Sequence, residues 1–237
     1  MRLGATVAAL PAAPEPGTRV LDDIGFACEP RGLAARLKVR PGSRAAQRLE
    51  GMAAQAAALA RPRALWRPAY VDCLSRDEVS LGGTVFRSLL LRRALGGGCA
   101  AYPFVATCGR ELADWSAGFP DLLRRYWADV IMDMALRRSL AAVRRALARH
   151  CGGARLERIE PGIPADWPAT VIPALFGLLG DTEARAGVTA SPLGVMRPLK
   201  SVAGVFFVSW GRHDKCALCP LEHCDRRTAA YAPADAG

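Results

Sequence analysis

No uninterrupted apolar run in this chain approaches the roughly 18 residues that a bilayer-spanning helix requires, which excludes a transmembrane protein. Aromatic residues make up only 7% of the chain. No RNP-like or zinc-finger pattern interleaves them with basic residues, so nothing in the sequence supports a nucleic-acid role. Gly and Pro number 23 and 17, yet they follow no Gly-X-Y period, which excludes a collagen-like chain. No internal repeat is visible. Charged residues are held to 23% while hydrophobic ones reach 51%, a balance that excludes wholesale disorder. The histidines, His150, His213 and His223, sit in no nucleophile-elbow or metalloprotease context, so a hydrolase is not indicated.

What the chain does have is length, positive charge and clustered cysteine. Its 237 residues can bury a genuine core as one large domain or two small ones. The 32 Lys and Arg outnumber the 22 Asp and Glu for a formal +10, a surface suited to an anionic ligand or an acidic partner. Cys28, Cys73, Cys99, Cys108 and Cys151 are solitary and read as small hydrophobes. Arg2 precedes a short apolar stretch, Leu3 to Leu10, at the bottom of the range for an export signal. The expectation is a cytoplasmic protein that does not enter the membrane.

Organisation follows from punctuation. Residues 1–18, rich in Ala, Pro and Gly, are expected to form a flexible arm, residues 19–211 a folded domain, and residues 212–237 a cysteine motif and tail. Leu49, Met52, Ala56 and Leu59 recur at helical spacing and predict a helix that ends before Pro62. Trp66–Leu74 and Val79–Leu81 look extended. Thr84–Leu95 reads as helix stopped by Gly96-Gly97-Gly98, and Cys99–Thr107 as a buried strand. A long helix is expected from Leu112 to Arg149, with Met132, Leu136, Leu140, Val143 and Leu147 on its apolar face. Arg137, Arg138, Arg144 and Arg145 share another face, either solvated or a docking surface for an acidic partner or an anionic cofactor edge. A helix from Pro168 to Leu179 follows, capped by Asp166 and bent at Pro173 unless it begins later, then a strand from Val202 to Trp210. The irregular interleaving of these elements predicts an α+β single domain with a mainly antiparallel twisted sheet packed against helices.

The densest chemistry lies at the end of the chain. Cys216 and Cys219 form a C-x2-C pair, and Cys224 follows closely enough to supply a third thiolate to the same metal. Thiolates select zinc or an iron–sulfur cluster over hard cations. Lys215, Arg226 and Arg227 would favour the thiolate form and offset cluster charge. His213, His223, a distant cysteine such as Cys108, or an exogenous molecule could complete the site.

Several segments, taken in order, resemble the S-adenosylmethionine-binding activation (reactivation) domain of cobalamin-dependent methionine synthase in its stand-alone form. Arg158-Ile159-Glu160-Pro161-Gly162-Ile163 followed by Asp166-Trp167-Pro168 is similar to that family's R-x-x-P-G-Y … D-W-P. Gly187-Val188-Thr189 through Met196-Arg197-Pro198-Leu199-Lys200-Ser201-Val202-Ala203-Gly204 resembles its T-x-S-x-x-M-x-P-x-K-S-V-S-G run, and Thr107-Cys108-Gly109 its A-T-x-G strand end. Stand-alone members also end in a cysteine tail like Cys216–Arg226. The resemblance implies an accessory module of methyltransferase chemistry rather than a complete enzyme. It would bind S-adenosylmethionine through Arg158, Gly162 and Ala165, and would support reductive remethylation of cobalamin on a corrinoid protein or methionine synthase core. Cys216, Cys219 and Cys224 would clip the tail or pass an electron as an iron–sulfur or zinc site. Alternatives are a non-catalytic docking module and an iron–sulfur electron-transfer protein acting on a corrinoid protein. Two positions depart from the pattern: Ile163 stands where the family has Tyr, and Ser139-Leu140-Ala141-Ala142 where it carries a Glu about eight residues after the equivalent of Asp133.

Overall fold

The computed structural model describes residues 17–96, 98–163 and 166–208. The described chain begins with β1 (Arg19–Leu21), α1 (Pro30–Arg36), α2 (Arg44–Leu59), β2 (Arg63–Trp66) and β3 (Ala69–Cys73). It continues through β4 (Glu78–Leu81), β5 (Thr84–Arg87), α3 (Leu89–Leu95), β6 (Ala100–Thr107), α4 (Arg110–Ala117) and α5 (Leu122–His150). The last part holds β7 (Leu156–Ile159), α6 (Ile172–Leu179), α7 (Thr182–Ala186), β8 (Thr189–Ala190), β9 (Met196–Arg197) and β10 (Ser201–Val208). No described helix is long and apolar enough to cross a membrane.

Strand β6 is the axis of the sheet. On one side it pairs antiparallel with β2, Leu65 opposite Val105, and at its start with β3. On the other side it pairs with β10 over seven residues, Ser201 opposite Thr107 through Phe207 opposite Ala101. Outside these lie β1 against β2 and β7 against β10, so β1 and β7 occupy opposite edges. The β3–β4–β5 meander extends the sheet beyond the start of β6. The expected mainly antiparallel sheet is therefore present, and the mixture of helices with it is the expected α+β arrangement.

Alternation along each strand sorts side chains onto two covered faces. Trp66, Tyr102, Phe104 and Phe206 pack under Val143 and Leu147 of α5. Leu65, Val105 and Ala203 face the other way, against Ile172, Phe176 and Leu179 of α6. Cover on both faces explains why Ala101–Thr107 is buried without interruption, as in an apolar run rather than an alternating one. A separate cluster joins α2, α4 and the first half of α5 through Leu49, Met52, Leu112, Trp127 and Ile131.

Three local expectations are corrected. Thr84–Arg87 is a strand and not helix, because Gly82 and Gly83 take positive φ (54° and 89°) and turn β4 back into the β-prone Thr84-Val85-Phe86. The long helix is two: α4 ends at Gly118 and α5 restarts after Pro120, where the Asp121 carboxylate accepts from the Arg124 amide at 2.9 Å. The last helix begins later than Pro168: α6 starts at Ile172 after a 3₁₀ turn at Ala169–Val171, the alternative under which Pro173 falls in the first turn and bends nothing.

Close packing of β10 rests on Gly204. A Cβ there would stand 2.5 Å from the Ile159 carbonyl oxygen and 3.1 Å from the Phe104 ring. Arg63 of β2 ties the sheet to α4 by an ion pair to Glu111 at 2.7 Å. Burial pushes the Glu111 carboxyl up, but the Arg63 hydrogen bond and charge outweigh it and leave the pKa below its ordinary 4.5.

Two measurements follow from these contacts. Gly204→Ala should lower unfolding free energy by about 1–3 kcal/mol. Gly51→Ala, in exposed helix with nothing within 4 Å of the new Cβ, should raise it by about 0.5–1 kcal/mol in the same denaturant titration. The Glu111 contribution is fully present above pH 4.5 and is lost as pH falls through the lowered folded value. Glu111→Gln should therefore flatten the acid limb of the stability profile.

Candidate functional site

Strand β7 carries the candidate ligand-binding arginine. Arg158 lies opposite Phe206 of β10, so its side chain leaves the sheet on the α5 face. Glu160, two residues on, emerges on the same side, and the Arg158 Nε and Glu160 Oε1 atoms form a buried ion pair. The stem of Glu160 lies over Gly204, whose added Cβ would meet Glu160 Cγ at 3.2 Å. The pairing of β7 with β10 and the position of Arg158 thus depend on the same missing side chain.

Past Glu160 the chain makes a tight turn at Pro161-Gly162, with Gly162 at φ 85°. The Gly162 amide donates to the Trp167 carbonyl at 2.7 Å and the Ile163 amide to the Glu160 carbonyl at 3.3 Å. Trp167 is fully buried and meets Phe86 edge-on at 6.4 Å between centroids. Ala169 sits between two glycines: the Cβ sites of Gly162 and Gly194 lie 3.7 and 3.1 Å from its methyl group. The 160–163 turn and the 191–195 loop therefore meet at Ala169. Both present apolar residues outward, Ile163, Leu193 (73% exposed) and Val195.

The other segments that carry the resemblance are bound to one another. Ser201 Oγ donates to Thr107 Oγ1 at 2.9 Å or to the Pro198 carbonyl at 2.7 Å. The Cys108 amide donates to the Lys200 carbonyl at 3.0 Å, and Lys200 Nζ pairs with Asp129 of α5 at 2.9 Å. Gly109 is required at φ 94°, because a Cβ would fall 2.4 Å from the Arg61 carbonyl oxygen. Most of these motif residues hold the fold, and few of them face an open site.

Arg158 and Gly162 are thus placed on one continuous strand and turn. Ala165 lies outside the described residues, as do Cys216, Cys219, Cys224, His213 and His223. Among the described residues no group of three or more His, Cys, Asp or Glu is arranged to hold a metal. Asp166 does not cap α6; its carboxylate accepts from the Leu90 amide at 3.1 Å and, with Ser88, caps α3. Cys108 is fully buried, its thiol directed to the Gly109 carbonyl, and burial pushes its pKa up to about 12. It is a poor thiolate donor for any metal. The shared-face arginines of α5 divide in role: Arg137 pairs with Asp133 at 3.0 Å, and Arg144 donates to the Leu156 carbonyl at 3.3 Å. Asp133 is further held by Arg36 at 3.0 Å. Sequence reasoning missed the part played by Glu160, whose i, i+2 spacing from Arg158 on a strand is the signal that would have exposed it. It also missed the outward apolar residues, visible only as Ile163, Leu193 and Val195 in Gly/Pro-punctuated loops.

A crystal structure of the MetH reactivation domain bound to AdoHcy matches with a TM-score of 0.61 at 14% sequence identity, covering 90% of this chain and 85% of that one. This chain has the MetH reactivation-domain fold. No family model matches the sequence, and no curated protein sequence matches it significantly. At that identity the likeness to the MetH domain is one of architecture, and what the reactivation fold does here has to be argued from the residues at the Arg158 turn.

The cysteine environments can be checked directly. Cys73 and Cys99 are exposed whereas Cys108 is buried. Iodoacetamide at mildly alkaline pH should alkylate Cys73 and Cys99 in the native protein and leave Cys108 unmodified until denaturant is added, as read by peptide mass mapping.

Proposed function

We propose that this chain binds a ligand of the S-adenosylmethionine class at the Arg158–Gly162 turn and serves as a reactivation module for a corrinoid protein or methionine synthase core. The observation that supports this reading is the fold, shared with a domain crystallised with AdoHcy, together with an arginine on β7 four residues before Gly162 of the Pro161-Gly162 turn. A guanidinium offers five donors in a planar fork, matched to the carboxylate of the ligand's amino-acid part. Glu160 engages it through Nε, so the ligand carboxylate would take the terminal amino groups or displace Glu160. Gly162, at positive φ and with Ala169 alone near its Cβ site among the described residues, would let the ligand approach the backbone, and Ala165 would add main-chain contacts.

In such a system the methyl group comes from the bound donor and the cobalt centre belongs to the partner, while this protein supplies binding and orientation. The outward Ile163, Leu193 and Val195 would be covered on docking. Cys216, Cys219 and Cys224 would hold zinc or an iron–sulfur cluster through their thiolates, on the strength of the C-x2-C spacing.

One observation favours a second reading, a docking module that holds no donor. The Arg158 guanidinium already has a carboxylate partner inside the protein, and Ile163 supplies no hydroxyl to the site.

Calorimetric titration with S-adenosylmethionine separates the two. Saturable binding that weakens roughly tenfold to a hundredfold in Arg158→Ala, the loss expected for a charge-assisted contact, supports the donor site. A folded wild-type protein that shows no heat of binding, yet captures a corrinoid protein, supports the docking module.

A further inference from the structure

At the β1 edge of the sheet, opposite the β7 edge that carries Arg158, the chain forms a groove of about 280 Å³ between the Val20–Ile24 segment and the second half of α5. Leu21 and Ile24 contribute apolar surface, Arg145 and Arg149 line the α5 side, and Asp22 and Asp23 line the other. Arg145 and Arg149 are one turn apart on the same helix face, about 5–6 Å between Cβ atoms, close enough for both forks to converge on one anionic group.

These four charged side chains are exposed and, among the described residues, none makes an ion pair or side-chain hydrogen bond. Elsewhere in the molecule, Asp121, Asp133 and Glu111 all have arginine partners. The groove is therefore lined by two positive and two negative residues that form no ion pair with one another. A ligand of one sign would be drawn to one wall and repelled by the other. A ligand with a negative and a positive end gains from both walls. The volume corresponds to about nine waters at ~30 Å³ each, the scale of an amino acid or dipeptide.

We infer that this groove binds a small dipolar molecule, its carboxylate on Arg145 and Arg149, its ammonium group on Asp22 and Asp23, and a short apolar spacer over Leu21 and Ile24. The site is separate from the Arg158 turn, and its occupancy does not require the function proposed there.

The test uses the full chain and three linear probes of equal carbon count: ε-aminocaproate, which is dipolar, adipate, a dianion, and hexamethylenediamine, a dication. Backbone-amide NMR titration should show saturable shifts in residues 20–24 and 145–149 with ε-aminocaproate, and much smaller shifts with the other two. Arg145→Gln/Arg149→Gln and Asp22→Asn/Asp23→Asn should each weaken that binding at least tenfold, while the spectrum elsewhere reports an unchanged fold. Equal responses to all three probes, or none by about 10 mM, a concentration at which even a millimolar site fills, would overturn the inference. Binding seen only after deletion of residues 1–16 would overturn it too, by assigning the groove to the chain's own N-terminal segment.

Discussion

The contact between β10 and its two neighbours is the constraint on which the rest of the structure hangs. Strand β10 lies between β6 and β7, and at Gly204 there is no room for a side chain beneath the Ile159 carbonyl, the Phe104 ring and the Glu160 stem. That closeness places Phe206 against Phe104 at 4.7 Å between ring centroids and fixes the register of β7. Through that register it sets the face on which Arg158 emerges. At the other end of the strand, Ser201 and Lys200 bind Thr107, the Cys108 amide and Asp129, so β6, β10 and α5 are joined at one corner. The turn proposed to hold a ligand is an outgrowth of this scaffold.

Much of the scaffold was legible in the sequence because its signals are local. Cys99–Thr107 and Val202 onward are apolar, β-branched and aromatic runs, and they do form β6 and β10 within one or two residues. The helix over Leu49–Leu59 showed its period and ended where Pro62 required. Errors arose where punctuation competed with period. Gly82-Gly83 turned an apparently helical stretch into a hairpin, and Gly118-Phe119-Pro120 divided a helix whose apolar face continues on either side of the break. Strand β7 was hidden because its four residues carry no alternating pattern of their own and pair only with a strand more than forty residues later.

The site was legible only in part, for a physical reason. The motif residues that gave the chain its resemblance are mostly those whose loss the fold cannot absorb: glycines under carbonyl oxygens, a hydroxyl joining two strands, a carboxylate capping α3. Such residues reveal architecture, and the architecture matches that of the MetH reactivation domain. Partner choice is set by tertiary geometry instead. The i, i+2 spacing of Arg158 and Glu160 pairs them only once the segment is known to be a strand, and nothing in the α5 sequence announces that Arg137 and Arg144 are engaged within the protein while Arg145 and Arg149 line a groove.

Arg158 is proposed as the anchor of a bound ligand, and a co-crystal structure with S-adenosylhomocysteine tests that role most directly. The expected result is the ligand at the Pro161-Gly162 turn, with its carboxylate within hydrogen-bonding distance of the terminal amino groups of Arg158. A ligand-soaked crystal in which Arg158 contacts Glu160 alone, and the ligand lies elsewhere or is absent at saturating concentration, would contradict it.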